Sequence, residues 1–201
     1  MSHANIITLN ENVLAAVDVE TTGRQPWYHE IIQIAVVPLD VNLDPVGMPF
    51  YTNICPTYPE RMGQEALEAH RIPLKALINY PDKYTVADQL WDWFQDLNLV
   101  PKKRLIPLIH NSQFDIPFLQ YWLGIEQFYE IFGYPTRDTQ ALITAIMDKA
   151  AFKNMPIPYD RASLGRICEI LGVTLDDAHD ALADALATAR VYKTLLSFGT
   201  W

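Results

Sequence analysis

The chain has 201 residues, half of them hydrophobic and 11% aromatic, which is enough apolar material for one core and excludes a disordered polypeptide. Its net charge of −9 has the wrong sign for a protein that grips nucleic acid by electrostatics alone, yet suits acidic side chains gathered round divalent cations. Apolar runs such as Ile31 to Leu39 fall short of the ~18 residues that span a bilayer, no leader-like segment opens the chain, and Cys55 and Cys168 stand too far apart for a metal pair, so a single domain over 1–201 in a reducing, cytoplasmic setting without a membrane is expected.

In chain order, Val13 to Glu20 reads as a β-rich strand that ends in the turn residues Thr21, Thr22 and Gly23. Glu30 to Leu39 is a second strand, nearly continuous in apolar side chains as a strand covered on both faces should be. Met48 to Ile54 makes a third, and short loops holding Pro26, Pro45 and Gly47 suggest a meander. Glu65 to Ile72 is a short helix ended by Pro73. Thr85 to Leu97 places Val86, Leu90, Trp93, Phe94 and Leu97 at helical spacing behind Thr85 as N-cap. Arg104 to His110 is a strand broken late by Pro107. Asp115 to Leu123 is a helix with Pro117 in its first turn. Arg137 to Thr139 is a short strand leading into a helix through Met147, followed by the proline-rich loop Met155 to Tyr159. Ser163 to Leu171, closed by Gly172, and Ala181 to Leu196 are amphipathic helices. Three strands followed by alternating strands and helices indicate an α/β layer fold with a mixed sheet.

Four acidic residues stand where apolar ones are expected. Asp18 and Glu20, two apart on a strand, share one face of the sheet. Asp115 opens a helix whose apolar stripe (Phe118, Leu119, Trp122, Leu123) turns it toward the core, and Asp184 sits among Leu182, Ala185, Leu186 and Ala189. Singly, each has a plain structural role open to it, as a helix cap, a strand end or a solvated helix charge. Jointly, carboxylates converging at strand ends repel one another unless a cation holds them. His179 stands five residues before Asp184 in a segment short enough to move, where a neutral imidazole would accept a proton near pH 7. His3, His29, His70 and His110 have no comparable setting and read as structural or surface residues.

The segments Asp18-Val19-Glu20-Thr21-Thr22-Gly23, His110-Asn111-Ser112-Gln113-Phe114-Asp115 and His179-Asp180-Ala181-Leu182-Ala183-Asp184 resemble the three motifs of the DEDD, or DnaQ-like, 3′→5′ exonuclease superfamily. A histidine five residues before the last aspartate matches the histidine subclass, whereas the tyrosine subclass would need Tyr where Asp180 stands. The resemblance implies a ribonuclease-H-like fold, a five-stranded mixed sheet with its second strand antiparallel, flanked by helices. It also implies two Mg²⁺ or Mn²⁺ ions per active site, with Asp18 touching both, Glu20 and Asp184 completing the site of the attacking water, and Asp115 holding the second ion. His179 would take the water's proton, and the product would be a nucleoside 5′-monophosphate.

For substrate contacts, Thr21 and Thr22 follow the metal-binding acids, Asn111 and Phe114 adjoin Asp115, and Trp27 lies in an aromatic loop suited to stacking on bases. The expected partner is the 3′ end of a single strand, DNA ahead of RNA. An RNA trimmer and a proofreading subunit bound to a polymerase are the alternatives, and a homodimer is also open. A chain ending at Trp201, directly after its last helix, favours the free enzyme, and five intact active-site residues disfavour an inactive binding module.

Overall fold

β1 (Val13–Thr21), β2 (Ile31–Pro38) and β3 (Phe50–Asn53) form an antiparallel meander in the computed structural model, which describes residues 13–99 and 103–198. His3 and Trp201 lie outside the described residues. β4 (Leu105–Ile109) runs parallel to β1 and β5 (Arg137–Asp138) parallel to β4, so the sheet order is β3-β2-β1-β4-β5. This is the mixed sheet, with an antiparallel second strand, that the family resemblance implies. No helix among the described residues is long and apolar enough to cross a membrane.

Helices cover both faces. α1 (Gln64–His70), α2 (Leu74–Leu77) and α3 (Lys83–Asp96) follow β3, α4 (Ser112–Leu123) and α5 (Ile125–Ile131) follow β4, and α6 (Thr139–Phe152), α7 (Leu164–Leu171) and α8 (Ala181–Ser197) complete the chain. The alternation of β1 divides the core. Val13, Ala15, Val17 and Val19 pack with α3, α4 and α5, while Leu14 and Ala16 pack with Ala181, Ala185, Ala189 and Tyr192 of α8. The alanine stripe lets α8 lie close against β1 and β2. β2 is buried along its whole length, as its nearly unbroken apolar run requires.

Several boundaries differ from the sequence reading for identifiable reasons. α3 is capped by Asp82 rather than Thr85, because the Asp82 carboxylate accepts from the Tyr84 and Thr85 nitrogens at 2.8 and 3.1 Å and from the Thr85 hydroxyl at 3.1 Å. Pro107 does not break β4. It pairs with Ala15, and β5 joins β4 only at Leu108 and Ile109, so no ladder bond is asked of its nitrogen on that edge. α1 ends at His70, before Pro73, because Arg71 adopts a left-handed φ of 57°. α6 runs on past Met147 to Phe152, and the apolar segments of α2 and α5 fold as helices the sequence reading did not assign.

α4 starts three residues before Asp115, so Pro117 stands beyond the first turn and forfeits the intrahelical bond to the Gln113 carbonyl. The early start comes from Asp138. This residue caps α6 through the Ala141 nitrogen at 3.0 Å and also accepts from the Ser112 nitrogen at 2.8 Å, the Ser112 hydroxyl at 2.7 Å and the Asn111 nitrogen at 3.3 Å. One carboxylate thus holds the first turns of two helices, which keeps it below the ordinary aspartate range despite its burial. Asp138→Ala removes both caps and should cost about 1–2 kcal/mol of stability in urea unfolding, with unchanged helix content by circular dichroism.

Candidate active site

Asp18 and Glu20 continue the Leu14–Ala16 side of β1, the side that faces α8. Asp184 lies in the first turn of α8, three residues after Ala181 and beside Ala185, so the same alanine packing that seats the helix brings its carboxylate over β1. Asp115 arrives from the other neighbour. Pairing of β1 with β4 stops at Ala16 and Leu108, which leaves the farther β1 backbone without a strand on that side. The Asp115 carboxylate fills the gap and accepts from the Val19 nitrogen at 3.2 Å.

His179 precedes α8 with φ of 70°, a left-handed conformation that costs a non-glycine residue about 1 kcal/mol. Its nitrogen donates to Asp184 Oδ2 at 3.3 Å. Glu20, His179 and Asp184 each offer a ligand atom, and these atoms lie within 4.8 Å of one another. Asp18, Glu20, Asp115, His179 and Asp184 all line one 310 Å³ cavity, together with His110, Asn111, Phe114, Gln140, Ser163 and Leu164. The five residues singled out in the sequence therefore meet in one place.

Burial and mutual repulsion dominate the electrostatics. Burial, then Asp115, Asp184 and Glu20, raises Asp18 well above the usual carboxylate range. Glu20 is pushed up to about 8 by burial and by Asp184 and Asp115. Asp115, only 3% exposed, also rises to about 8 because burial outweighs its bond from Val19. Burial raises Asp184 against the opposing influence of His179. Asp184 Oδ1 is buried without a hydrogen-bond partner. An orphaned carboxylate oxygen beside three further carboxylates is a donor set that fits a hard divalent cation.

The expected substrate residues are distributed unevenly. Phe114 packs against Phe118, with ring centroids 5.1 Å apart, and lines both this cavity and an adjoining one of 450 Å³. Thr21 lines the second cavity, with its hydroxyl donating to the Gly23 carbonyl at 2.6 Å. Thr22 does not face it. That side chain is fully buried, and its hydroxyl accepts from the Glu30 nitrogen at 2.9 Å to close the loop between β1 and β2. Gly23 in the same loop has no room for a side chain, since a Cβ would stand 2.3 Å from the His29 ring. Trp27 is 68% exposed and lines neither cavity. Asn111 lines the carboxylate cavity in a left-handed turn.

Other residues at the site carried no sequence signal strong enough to place them. His29 and His70 line the second cavity. His70 Nδ1 accepts from the Ile72 nitrogen at 2.9 Å, while Nε2 is buried without a partner. His110 borders the carboxylates and bonds the Thr139 hydroxyl at 2.8 Å. Gln33 anchors the start of α8. It donates to Asp180 Oδ2 at 3.2 Å and accepts from the Ala181 nitrogen at 2.8 Å, and the Tyr51 hydroxyl donates to the same Asp180 oxygen. Asp180 Oδ1 caps the helix through the Leu182 and Ala183 nitrogens. Gln33 is the one polar side chain in β2, and that break in an apolar run was the available signal.

The RNase_T exonuclease family model matches residues 15–192. DNA polymerase III subunit epsilon of Rickettsia typhi is 32% identical over 182 residues, covering 89% of this chain and 71% of that one. Its counterpart in Pasteurella multocida is 30% identical over 185 residues, covering 89% and 66%. The chain thus spans about two thirds of the length of these relatives. Among solved structures, the nuclease domain of the exonuclease 3′hExo, a DEDDh family member bound to rAMP, superposes with a TM-score of 0.68 at 20% identity over 96% of this chain and 95% of that one. E. coli Exonuclease I in complex with an oligonucleotide gives a TM-score of 0.70 at 19% identity over 92% and 41%. Those likenesses establish the fold. The family match runs through all three segments that carry the carboxylates, and this chain belongs to the RNase_T exonucleases as a DEDD 3′→5′ exonuclease.

Proposed function

We propose that this exonuclease removes nucleoside 5′-monophosphates from the 3′ ends of single strands, DNA ahead of RNA. The observation that carries the reading is the meeting of four carboxylates and His179 in one cavity that shares Glu20 and Phe114 with a second, more apolar one. The first suits the reacting phosphate and the second a terminal nucleoside. Asp18, Glu20, Asp115 and Asp184 would hold two Mg²⁺ or Mn²⁺ ions, which when bound neutralise the cluster, activate water and take charge from the leaving oxygen.

The protein's own groups do the rest. His179 accepts the proton of the attacking water as the bond from the terminal phosphorus to the upstream 3′-oxygen breaks. Its backbone bond to Asp184 keeps the imidazole beside the carboxylates without engaging either ring nitrogen. Thr21, Asn111 and Phe114 would border the terminal nucleotide, and exposed Trp27 would stack on a base beyond it. A second reading, proofreading beside a polymerase, is favoured by the name of the relatives at 30–32% identity, DNA polymerase III subunit epsilon. Digestion of 5′-labelled DNA and RNA oligomers of equal sequence, in Mg²⁺ and in chelator, tests the substrate assignment. Faster shortening of RNA would overturn the preference for DNA.

Two expectations test the roles. Because Glu20 and Asp115 hold protons up to about pH 8, Mg²⁺ binding at neutral pH should release protons. Calorimetry in two buffers of different ionisation heat reads that release directly, and Asp18→Ala should show no binding heat. Equal heats from wild type and variant would remove the cluster as the metal site. His179→Ala should keep Mg²⁺ binding and lose about 10²–10⁴ in single-turnover rate, the range of a positioned general base. An unchanged rate would make His179 a structural residue.

A further inference from the structure

Arg61 ends the short turn Pro59–Arg61 between β3 and α1, and its guanidinium lies against two rings. It stands 3.8 Å from the centroid of Tyr58 and 4.7 Å from that of Tyr28, and its Nη1 donates to the Tyr28 carbonyl at 3.1 Å. Among the described residues no carboxylate pairs with it. Its charge is met by ring faces and a carbonyl oxygen.

The assembly is braced. Glu30 accepts from the Tyr58 nitrogen at 2.8 Å and from Lys83 at 3.1 Å, tying the turn to the start of β2 and to α3. Tyr28 packs edge-on against His29 with centroids 5.0 Å apart. The cluster's chain neighbours line the second cavity: His29, next to Tyr28, and Gly63, two residues after Arg61, whose nitrogen donates to the Thr22 carbonyl at 2.8 Å. Tyr28 and Tyr58 remain 47% and 40% exposed.

We propose that Arg61, Tyr58 and Tyr28 receive the strand upstream of its terminal nucleotide, a phosphate meeting the free edge of the guanidinium and bases meeting the tyrosine rings. The proposal rests on the reading of the site given above. An arginine already held between rings loses little freedom on meeting a phosphate, and its planar fork matches the phosphate oxygens. Ring stacking accepts any base, as an enzyme that shortens strands of any sequence requires.

The test compares hydrolysis of a dinucleotide with that of a longer single strand by the full chain. For Arg61→Gln, the KM of a strand of roughly 12 nucleotides relative to that of the dinucleotide should rise about five- to tenfold. For the longer strand, the slope of log KM against log salt, between about 50 and about 200 mM, should flatten by about 0.7, the loss of one phosphate contact. Arg61→Lys should restore the salt slope and only part of the affinity, because an ammonium keeps the charge without the planar stack. An unchanged KM ratio and slope in Arg61→Gln would overturn the proposal. Equal weakening on both substrates would also overturn it, since a loosened turn would act on the terminal pocket alike. Wild-type protein inactive on both substrates with Mg²⁺ would instead overturn the reading of the site, and this proposal with it.

Discussion

Four carboxylates are held together at the end of β1, and the surrounding architecture is what keeps them there. Removing carboxylates from water beside one another is unfavourable in proportion to their charge, and the protein relieves this by leaving protons on them: Glu20 and Asp115 rise to about 8, and Asp18 and Asp184 rise as well. The core offsets the cost. Each fully buried Leu, Ile or Val of the sheet contributes about 1.5–3 kcal/mol, and β1, β2 and β4 supply many of them. Protons and any divalent cation would compete for the same oxygens, so the site's occupancy would be set jointly by pH and metal.

Precision comes from polar groups outside the carboxylate set. Asp138 sets where α4 begins and so where Asp115 stands, and three of its four bonds reach across from β5 to the turn after β4. Gln33, Tyr51 and Asp180 do the same for α8 and thus for His179 and Asp184. Asp138, Gln33 and Asp180 each accept from backbone nitrogens at a helix start, where unsatisfied donors are available to be captured, and Tyr51 braces Asp180. The left-handed backbone at Asn111 and His179 marks the two turns where this anchoring overrides local preference.

The strands and the carboxylate and histidine set were legible because their signals are periodic or strictly spaced. Alternation along Val13 to Glu20 is enough to put Asp18 and Glu20 on one face, and the interval from His179 to Asp184 survives folding because a helix start follows directly. What the sequence concealed depends on contacts between distant segments. Thr85 looks like a cap until Asp82, three residues earlier, captures the Tyr84 and Thr85 nitrogens and starts the helix there. Pro107 looks like a strand end until β5 proves too short to need its nitrogen. Thr22 looks like a pocket residue beside Thr21, but the loop closure with Glu30 draws it inward. His70 reaches the second cavity because α1 lines it together with Glu20 and Thr21 at the end of β1, and nothing in its local sequence announces that.

The central claim, that the carboxylates are strained against one another until a cation joins them, is open to a direct reading of stability against pH. A carboxylate whose pKa is higher folded than unfolded binds more protons in the folded state between the two values, so stability falls as pH rises from about 4 to about 8. Urea unfolding across that range in chelator should show this fall. It should be reduced in Glu20→Gln and Asp115→Asn, and largely cancelled in wild type by saturating Mg²⁺. Stability that rises through the window in chelator, or variants and Mg²⁺ that leave its slope unchanged, would contradict the account.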